Sequence, residues 1–262
     1  MNANKKAAVV TGGSSGIGKA TAKAFLELGY IVVIADVNED TLKRTAEEFG
    51  RWKDTLFYKK TDVSDPVSVK ELAAFVKTNC GGVHTLVNCA GVFRGGLLHE
   101  APEEDFDLQF NINVKGAYFM MKAMIPMMLE RNCGAVVNIS SASGIRGDYN
   151  APLYCASKGA VISLTQAAAL DYMEKGIRIN CVSPSATATP MFLSGTNESV
   201  MNSFLNAFPD HKLGLPEQVA DAVVFLASDK AAHICGHNLP VDGGLTNWNG
   251  QPKQDKNIKT TK

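Results

Sequence analysis

The sequence lacks the features that mark several classes of protein. Lysine plus arginine and aspartate plus glutamate number 26 each among 262 residues, so no excess charge points to a nucleic-acid or anionic-membrane partner. No apolar run approaches the ~20 residues that a bilayer span needs. Residues 7–10 are too short for the core of a signal peptide and are better explained as a buried strand. We therefore expect a cytoplasmic protein without a nucleic-acid or membrane partner.

The cysteines lack the spacing of a metal site. The six of them form no C-x-x-C pair, and no histidine stands at the distance typical of zinc ligands. They are scattered through apolar segments, as expected of reduced thiols in a reducing compartment. We predict no metal site. Cys155, beside Tyr154, is a candidate reactive thiol, although a packing role is the simpler interpretation.

What the sequence does contain is a regular alternation of short apolar segments and helical patterns. The predicted strands span residues 7–11, 30–36, 55–61, 83–88, 134–139, 177–182 and 237–241. Near-continuous apolar strands alternating with helices are typical of a parallel sheet covered on both faces, and right-handed crossovers make such a sheet doubly wound. We predict one α/β domain over residues 1–250, with a seven-stranded, Rossmann-like sheet.

Two predicted elements depart from simple alternation. Residues 103–131 form one long helical pattern interrupted at Pro126, and its methionines suit a core or a subunit contact. Asn113 lies in the middle of this helix, where asparagine is mildly unfavourable, so a polar bend or a water site is expected there. Residues 190–215 mix apolar side chains with Ser, Gly and Asn, which is typical of a lid over a partly apolar substrate. An ordinary two-helix surface insertion is the alternative.

Polar side chains mark the carboxyl ends of the predicted strands. They are Thr11, Asp36, Asp62, Asn88, Ser140 and Ser141. Because ligands of doubly wound sheets bind beyond that edge, we expect these side chains to line one crevice. Near its mouth, further candidate polar contacts, each of a kind that is more often a solvated loop residue, are Arg94, Arg146, Tyr149 and His211.

A glycine-rich turn, G-x-x-x-G-x-G, joins the first predicted strand to the first helix. Gly12 permits a tight turn, and Gly16 and Gly18 permit close approach of a phosphate and of strand to helix. The helix end offers N–H groups and a positive dipole to a pyrophosphate. Asp36 follows Gly16 by about 20 residues, where a carboxylate takes the ribose hydroxyls of NAD and repels the 2′-phosphate of NADP. NAD is therefore favoured; capping of the next helix is a second possible role for Asp36.

Tyr154 and Lys158 stand four residues apart, so a helix brings them to one face. An ammonium beside a phenol favours the phenolate. Lowering the phenol pKa from ~10 to about 7 asks roughly 4 kcal/mol of the site, which a cation and a hydrogen bond can supply. Ser140 or Ser141 can supply the hydroxyl. A Y-x-x-x-K pair alone is more often an ordinary solvated helix face, so this interpretation depends on the rest of the chain.

Taken together, these motifs resemble the short-chain dehydrogenase/reductase family over roughly residues 5–247. The segments similar to family motifs are Thr11-Gly-Gly-Ser-Ser-Gly-Ile-Gly18, Asp62-Val63, Asn88-Cys-Ala-Gly91, Asn113 before Val-Lys-Gly, Tyr154-x-x-x-Lys158 and Val241-Asp-Gly-Gly244. Ser141 stands 13 residues before Tyr154, the usual separation, which favours it over Ser140. The one departure is Pro184-Ser185 where the family usually has Pro-Gly, and it leaves the local loop geometry open.

The resemblance implies reversible hydride transfer between NAD and a secondary alcohol or ketone. Tyr154 would be the general acid/base, Ser141 would donate a hydrogen bond to the substrate oxygen, and Lys158 would lower the Tyr154 pKa and bind the nicotinamide ribose. Asn113 would hold a water that links Lys158 to solvent. The implied cofactor contacts are Gly12, Ser14, Ser15, Gly16, Ile17, Gly18, Asp36, Asp62, Val63, Asn88, Ala90, Gly91, Tyr154, Lys158, Pro184, Thr187 and Thr189.

Assembly and rival functions follow from the same resemblance. A homotetramer would pack through the helices at 103–131 and 152–173. The nearest rival is an NADP-dependent 3-oxoacyl or carbonyl reductase, and a rival of another class is a non-catalytic nucleotide-sensing or scaffold protein. The polar residues 251–262 are predicted to form a disordered tail.

Overall fold

The computed structural model describes residues 5–249 and Gln251, so the predicted tail beyond Gln251 lies outside the described residues. The strands are β1 (Ala7–Thr11), β2 (Ile31–Asp36), β3 (Leu56–Lys60), β4 (Thr85–Asn88), β5 (Gly134–Ile139), β6 (Ile177–Pro184) and β7 (Asn238–Val241). They form one sheet in the order β3-β2-β1-β4-β5-β6-β7, and every neighbouring pair is parallel. The predicted doubly wound, Rossmann-like sheet is confirmed.

Helices cover both faces of this sheet. They are α1 (Gly16–Glu27), α2 (Glu39–Glu48), α3 (Pro66–Cys80), α4 (Glu103–Gln109), α5 (Gly116–Leu129), α6 (Pro152–Tyr172), α7 (Pro190–Leu193), α8 (Glu198–Ala207) and α9 (Pro216–Ala227). Because successive strand residues point to opposite faces, Ile34 packs into one apolar cluster with Phe25 of α1 and Val223 of α9. Val33 packs into the other, with Leu72 of α3. Each such large buried side chain contributes about 1.5–3 kcal/mol by leaving water.

The predicted helix at 103–131 is broken at a different place. Residues 110–115 wind as a wider π-helical segment between α4 and α5, whereas Pro126 lies inside α5 without ending it. A π-helical turn needs side-chain or tertiary bonds to hold it, and Asn113 supplies them, as described below. The methionines of α5 are buried, which confirms their predicted core role: Met120, Met121, Met124, Met127 and Met128.

One long segment completes the fold around the carboxyl edge. Residues 190–215 contain α7 and α8, and the segment is closed at its base by a pair of backbone hydrogen bonds, from Gly214 N–H to the Ala186 carbonyl and from Ala188 N–H to the Gly214 carbonyl. Within the described part of the chain, no helix is long and apolar enough to cross a membrane.

Candidate active site

A cavity of about 750 Å³ lies along the carboxyl edge of the sheet, a size typical of small-molecule sites. The predicted site residues that line it are Gly12, Ser15, Gly16, Ile17, Gly18, Asp36, Asp62, Val63, Ala90, Gly91, Ser141, Tyr154, Lys158, Pro184, Thr187 and Thr189. Of the described residues predicted for the site, Ser14, Asn88 and Asn113 lie off this wall. The parallel sheet therefore brings most of the predicted residues together.

The glycine-rich turn forms a narrow cradle at the start of α1. Gly12 and Gly16 have φ angles of 61° and 50°, which disfavour other residues. A Cβ atom on Gly18 would lie 2.2 Å from the Gly12 carbonyl oxygen. Ser15, the N-cap of α1, makes no side-chain hydrogen bond to the helix, so the first N–H groups keep their donors for another partner. This cradle fits a pyrophosphate group.

Asp36 lines the cavity and is held in place from behind. The Ser14 hydroxyl donates to Asp36 Oδ2 at 2.6 Å, and Asn38 N–H donates to Oδ1 at 3.2 Å. The cap of α2 is Asn38, whose Oδ1 accepts from the N–H groups of Asp40 and Thr41, so the alternative role of Asp36 as the helix cap is wrong. Ser14 thus orients the carboxylate from outside the cavity wall.

The asparagine of the Asn88-Cys-Ala-Gly91 segment supports the wall. Its Nδ2 donates to Asn138 Oδ1 at 2.8 Å, and Asn138 in turn donates to Thr165 of α6. Thr11 Oγ1 accepts from the N–H groups of Cys89 and Ala90 at 3.0 and 3.1 Å. These buried bonds fix the turn after β4, where Ala90 and Gly91 reach the cavity.

Asn113 explains the π-helical segment. Its Oδ1 accepts from Val92 N–H at 2.8 Å, and its Nδ2 donates to the Val92 carbonyl and the Ser157 hydroxyl, each at 3.0 Å. The side chain therefore ties the turn after Gly91 to α6. A Cβ on Gly91 would lie 3.2 Å from Asn113 Oδ1 and 3.3 Å from Lys158 Nζ, so the packing here is close.

Tyr154 and Lys158 lie on the first turns of α6, which begins at Pro152. Lys158 Nζ donates to the Ile139 carbonyl at 3.0 Å and lies 5.7 Å from the Tyr154 ring centroid. The Phe93 ring packs edge-on against Tyr154, with 5.1 Å between centroids. Ser140 donates its hydroxyl to the Lys158 carbonyl at 2.7 Å, so Ser141 is the serine that remains for the phenol.

Burial shifts the pKa values of both Tyr154 and Lys158. Burial raises the pKa of Tyr154 to about 12, and a hydrogen bond with Ser141 opposes this rise. Burial also lowers the pKa of Lys158. In the chain without cofactor this burial outweighs the opposing hydrogen bond, because a phenolate is costly to remove from water. The lowering of the Tyr154 pKa by Lys158 stays a prediction for the protein with its cofactor bound.

The departure at Ser185 is accommodated without strain. Within residues 5–249, the non-glycine residues with positive φ are Asn132, Asn150 and His211, so Ser185 takes a backbone conformation open to any residue. Its N–H donates to the Val241 carbonyl at 3.3 Å and its carbonyl accepts from Thr187 Oγ1 at 2.8 Å. Thr187 and Thr189 remain on the cavity wall.

The far end of the cavity contains residues that the sequence analysis missed. Asp148 and Ser143 line it, whereas the predicted mouth residues Arg94, Arg146, Tyr149 and His211 do not. Asp148 is the only acidic residue between Ser141 and Tyr154, a signal that was available in the sequence. The apolar part of the wall here includes Phe93, Leu108, Met191, Phe192 and Phe204.

The thiols next to the site differ in position. Cys89 lines the cavity, but burial raises its pKa to about 12, which leaves little reactive thiolate. Cys155 is partly buried in α6 and is not among the wall residues. Within the described residues, no group of three or more His, Cys, Asp or Glu side chains is arranged to hold a metal ion.

Comparison with known proteins agrees with this geometry. Residues 12–246 match the family model described as enoyl-(acyl carrier protein) reductase. The chain is 37% identical over 253 residues to meso-2,3-butanediol dehydrogenase of Serratia marcescens, covering 97% of this chain and 99% of that protein. It is 34% identical over 245 residues to the 3-oxoacyl-acyl-carrier-protein reductase of Thermotoga maritima, covering 94% and 99%.

Solved structures give the same result. The structure titled "ElxO with NADP Bound" superposes with a TM-score of 0.88 at 36% identity, covering 93% of this chain and 100% of that chain. The matches run through the glycine cradle, Ser141, Tyr154 and Lys158, which lie on one cavity wall. The chain therefore belongs to the short-chain dehydrogenase/reductase family, whose members are oxidoreductases that transfer hydride between a nicotinamide cofactor and an alcohol or ketone.

Proposed function

We propose that this protein is an NAD-dependent dehydrogenase of a secondary alcohol, working reversibly as a ketone reductase, with Tyr154 as the general acid/base. The observation that carries the choice of NAD is the carboxylate of Asp36 at the carboxyl end of β2, held on the cavity wall by Ser14. On the described part of this wall, Lys158 is the only lysine or arginine. A 2′-phosphate near Asp36 would meet like charge without a compensating cation.

Different residues of the cavity wall bind different parts of the cofactor. The cradle of Gly12, Ser15, Gly16, Ile17 and Gly18 takes the pyrophosphate, and Asp36 takes the adenine ribose. Asp62 and Val63 contact the adenine, as the family resemblance implies. Nearer the chemistry, the remaining contacts are Ala90, Gly91, Tyr154, Lys158, Pro184, Thr187 and Thr189. Ser14 and Asn88 act from behind the wall, by orienting Asp36 and the turn after β4.

Proton handling falls to Tyr154 and its neighbours. Bound NAD supplies a hydride acceptor at its nicotinamide ring. In alcohol oxidation, the Tyr154 oxygen takes the hydroxyl proton, and in ketone reduction it returns it. Ser141 donates a hydrogen bond to the substrate oxygen where negative charge develops. Lys158 holds the nicotinamide ribose, and a water at Asn113 connects Lys158 with solvent.

The lid and the assembly complete the proposal. Residues 1–250 act as one catalytic domain, and residues 190–215 close over a partly apolar, small-molecule substrate; Phe192 and Phe204 supply apolar wall. The protein is a cytoplasmic homotetramer that packs through α4, α5 and α6. Its partners are the cofactor, the substrate and other copies of itself, with neither nucleic acid nor membrane among them.

An NADP-dependent reductase is the specific rival, since the structurally similar ElxO was solved with NADP bound. Titration of NAD and NADP against the protein, followed by initial rates with each, separates the two. We expect NAD to bind at least tenfold more tightly. Asp36→Ala should reduce the difference in affinity between NAD and NADP. Asp40→Ala, on the exposed surface of α2, should leave that difference unchanged. A preference for NADP in the unmodified protein would overturn the assignment of cofactor.

A further inference from the structure

The substrate end of the cavity holds one carboxylate that the proposed chemistry does not use. Asp148 lies in the loop between Ser141 and α6 and lines the cavity together with Ser143. The other carboxylates on the wall, Asp36 and Asp62, stand at the ends of β2 and β3, on the cofactor side. Asp148 is therefore the acidic group nearest the reacting centre.

Short hydrogen bonds connect Asp148 with the reacting centre. Ser143 Oγ donates to Asp148 Oδ2 at 3.0 Å, and Ser143 N–H donates to Ser141 Oγ at 3.1 Å. Ser141 is near enough to the Tyr154 phenol to lower its pKa, and the charge of Asp148 is near enough to raise it. A substrate oxygen bound at Ser141 and Tyr154 would therefore lie beside the hydrogen bonds that lead from Ser141 through Ser143 to Asp148.

Asp148 is exposed in the single chain, and protein groups fill little of its acceptor capacity. Within residues 5–249 it forms no salt bridge, and Ser143 is the donor that reaches it. An ionised carboxylate accepts through two oxygens and donates nothing. It therefore favours a ligand that brings a hydroxyl or ammonium donor, and it repels a carboxylate or phosphate.

The apolar part of the cavity wall limits the rest of the ligand. Phe93, Phe192 and Phe204 face the same space, and neither Arg94 nor Arg146 lines it to receive an anion. Arg94 instead lies near Asp105, with 3.7 Å between Nε and Oδ1. A compact, uncharged carbon frame with two neighbouring polar groups matches this combination of apolar wall and lone acceptor.

We propose that Asp148 and Ser143 form a second polar subsite that binds a second hydroxyl of the substrate, next to the carbinol that is oxidised. The preferred substrate class is then a small vicinal diol, or the matching hydroxyketone in reduction, in place of a monoalcohol or an anionic hydroxyacid. This inference rests on the proposed function and adds the substrate class to it.

Three alcohols test the subsite, and two of them, cyclohexanol and 1,2-cyclohexanediol, form a matched pair. Initial rates with saturating NAD would be measured for cyclohexanol, 1,2-cyclohexanediol and 3-hydroxybutyrate. We expect kcat/KM to favour the diol by about tenfold over cyclohexanol, because the second hydroxyl is bonded only in the diol. In Asp148→Ala, the ratio of kcat/KM for the diol to kcat/KM for cyclohexanol should fall towards one. The rate with 3-hydroxybutyrate, relative to that with cyclohexanol, should rise. Asp107→Ala, an exposed acid on α4, is the matched control and should keep the ratio of the unmodified protein.

The outcomes separate the subsite from the underlying activity. Equal use of diol and monoalcohol, or a diol preference that survives Asp148→Ala, overturns the subsite while leaving the dehydrogenase intact. Lack of NADH from every alcohol, with NAD bound, overturns the proposed function and the subsite with it. A variant that does not fold is replaced by Ser143→Ala, which removes the donor to Asp148 Oδ2 and should lower the same ratio.

Discussion

At Tyr154, burial and hydrogen bonding act on the phenol in opposite directions. Burial is the larger effect and raises the pKa to about 12, whereas the hydrogen bond with Ser141 lowers it. The Phe93 ring packs edge-on against the Tyr154 ring, with 5.1 Å between the ring centroids, and covers part of it. Alcohol oxidation needs this phenol to accept a proton, so its rate should depend on whatever stabilises the phenolate.

The first prediction concerns Ser141. Ser141→Ala removes the bond that lowers the Tyr154 pKa, so the pKa should rise further and the pH profile of alcohol oxidation should move to higher pH. Loss of a hydrogen bond to the developing oxyanion should also reduce kcat by roughly 10²-fold. Steady-state rates across alkaline pH check both effects. Ser163→Ala, exposed on α6, is the control; an unshifted profile in Ser141→Ala would contradict the role of this hydroxyl.

The residue types in these motifs predicted where the site lies more reliably than they predicted which residues touch the cavity. Gly12, Asp36 and Tyr154 line the cavity as expected, because strand ends and a helix start fix where they lie. Ser14 and Asn88 belong to the same motifs but bond to Asp36 and Asn138 behind the wall. A motif marks every residue that the geometry of a site requires. One sequence cannot separate the residues that touch the cavity from the residues that hold them in place.

Among the elements, the start of α1 is the most tightly constrained. Gly18 approaches the Gly12 carbonyl so closely that a Cβ would lie 2.2 Å from its oxygen. Real side chains do not tolerate such a distance, so either α1 or the turn after β1 must move. Both carry the N–H groups that are proposed to bind the pyrophosphate.

The second prediction tests this contact. Gly18→Ala should lower the free energy of unfolding by about 1–3 kcal/mol and should weaken NAD binding as well, since the cradle is displaced. Gly50→Ala is the matched control, because a Cβ there meets nothing within 4 Å. Thermal unfolding and NAD titration measure the two effects. Gly18→Ala with normal stability and affinity would show that the cradle does not depend on this approach.

The segment from α4 to α5 contains one feature that could be predicted from the sequence and one that could not. Its helical pattern and buried methionines were predictable from apolar spacing alone. The π-helical turn at 110–115 was not, because it depends on bonds from Asn113 to Val92 and Ser157, residues 21 and 44 positions away. Hydrogen bonds to residues so distant in the chain leave no periodic pattern in the local sequence.

For the whole molecule, the parallel order of the sheet decides where chemistry can occur. All seven strands point the same way, so their polar ends meet at one edge. Alternation of strands and helices made this predictable. The same alternation does not predict which outer surfaces are covered in an assembly. It also did not predict that Asp148 lines the substrate end of the cavity.

The third prediction concerns the proposed tetramer. Leu170 on α6 is 82% exposed in the single chain, an unfavourable position for a large apolar side chain unless another copy covers it. Leu170→Glu should therefore shift the protein from tetramer to smaller species in sedimentation velocity. Leu28→Glu, at the end of α1 and also exposed, should leave the tetramer intact. A monomeric unmodified protein, or a tetramer unaffected by Leu170→Glu, would contradict the assignment of this face.

The most direct test of the account compares Tyr154→Phe with the unmodified protein in two measurements, NAD binding and NADH production from secondary alcohols. Removing one hydroxyl leaves the ring that packs on Phe93 in place, so the fold and the cradle should persist. The account predicts NAD affinity within about threefold and a loss of turnover of at least 10²-fold. Turnover that survives in Tyr154→Phe at close to its original rate would show that another group carries the proton.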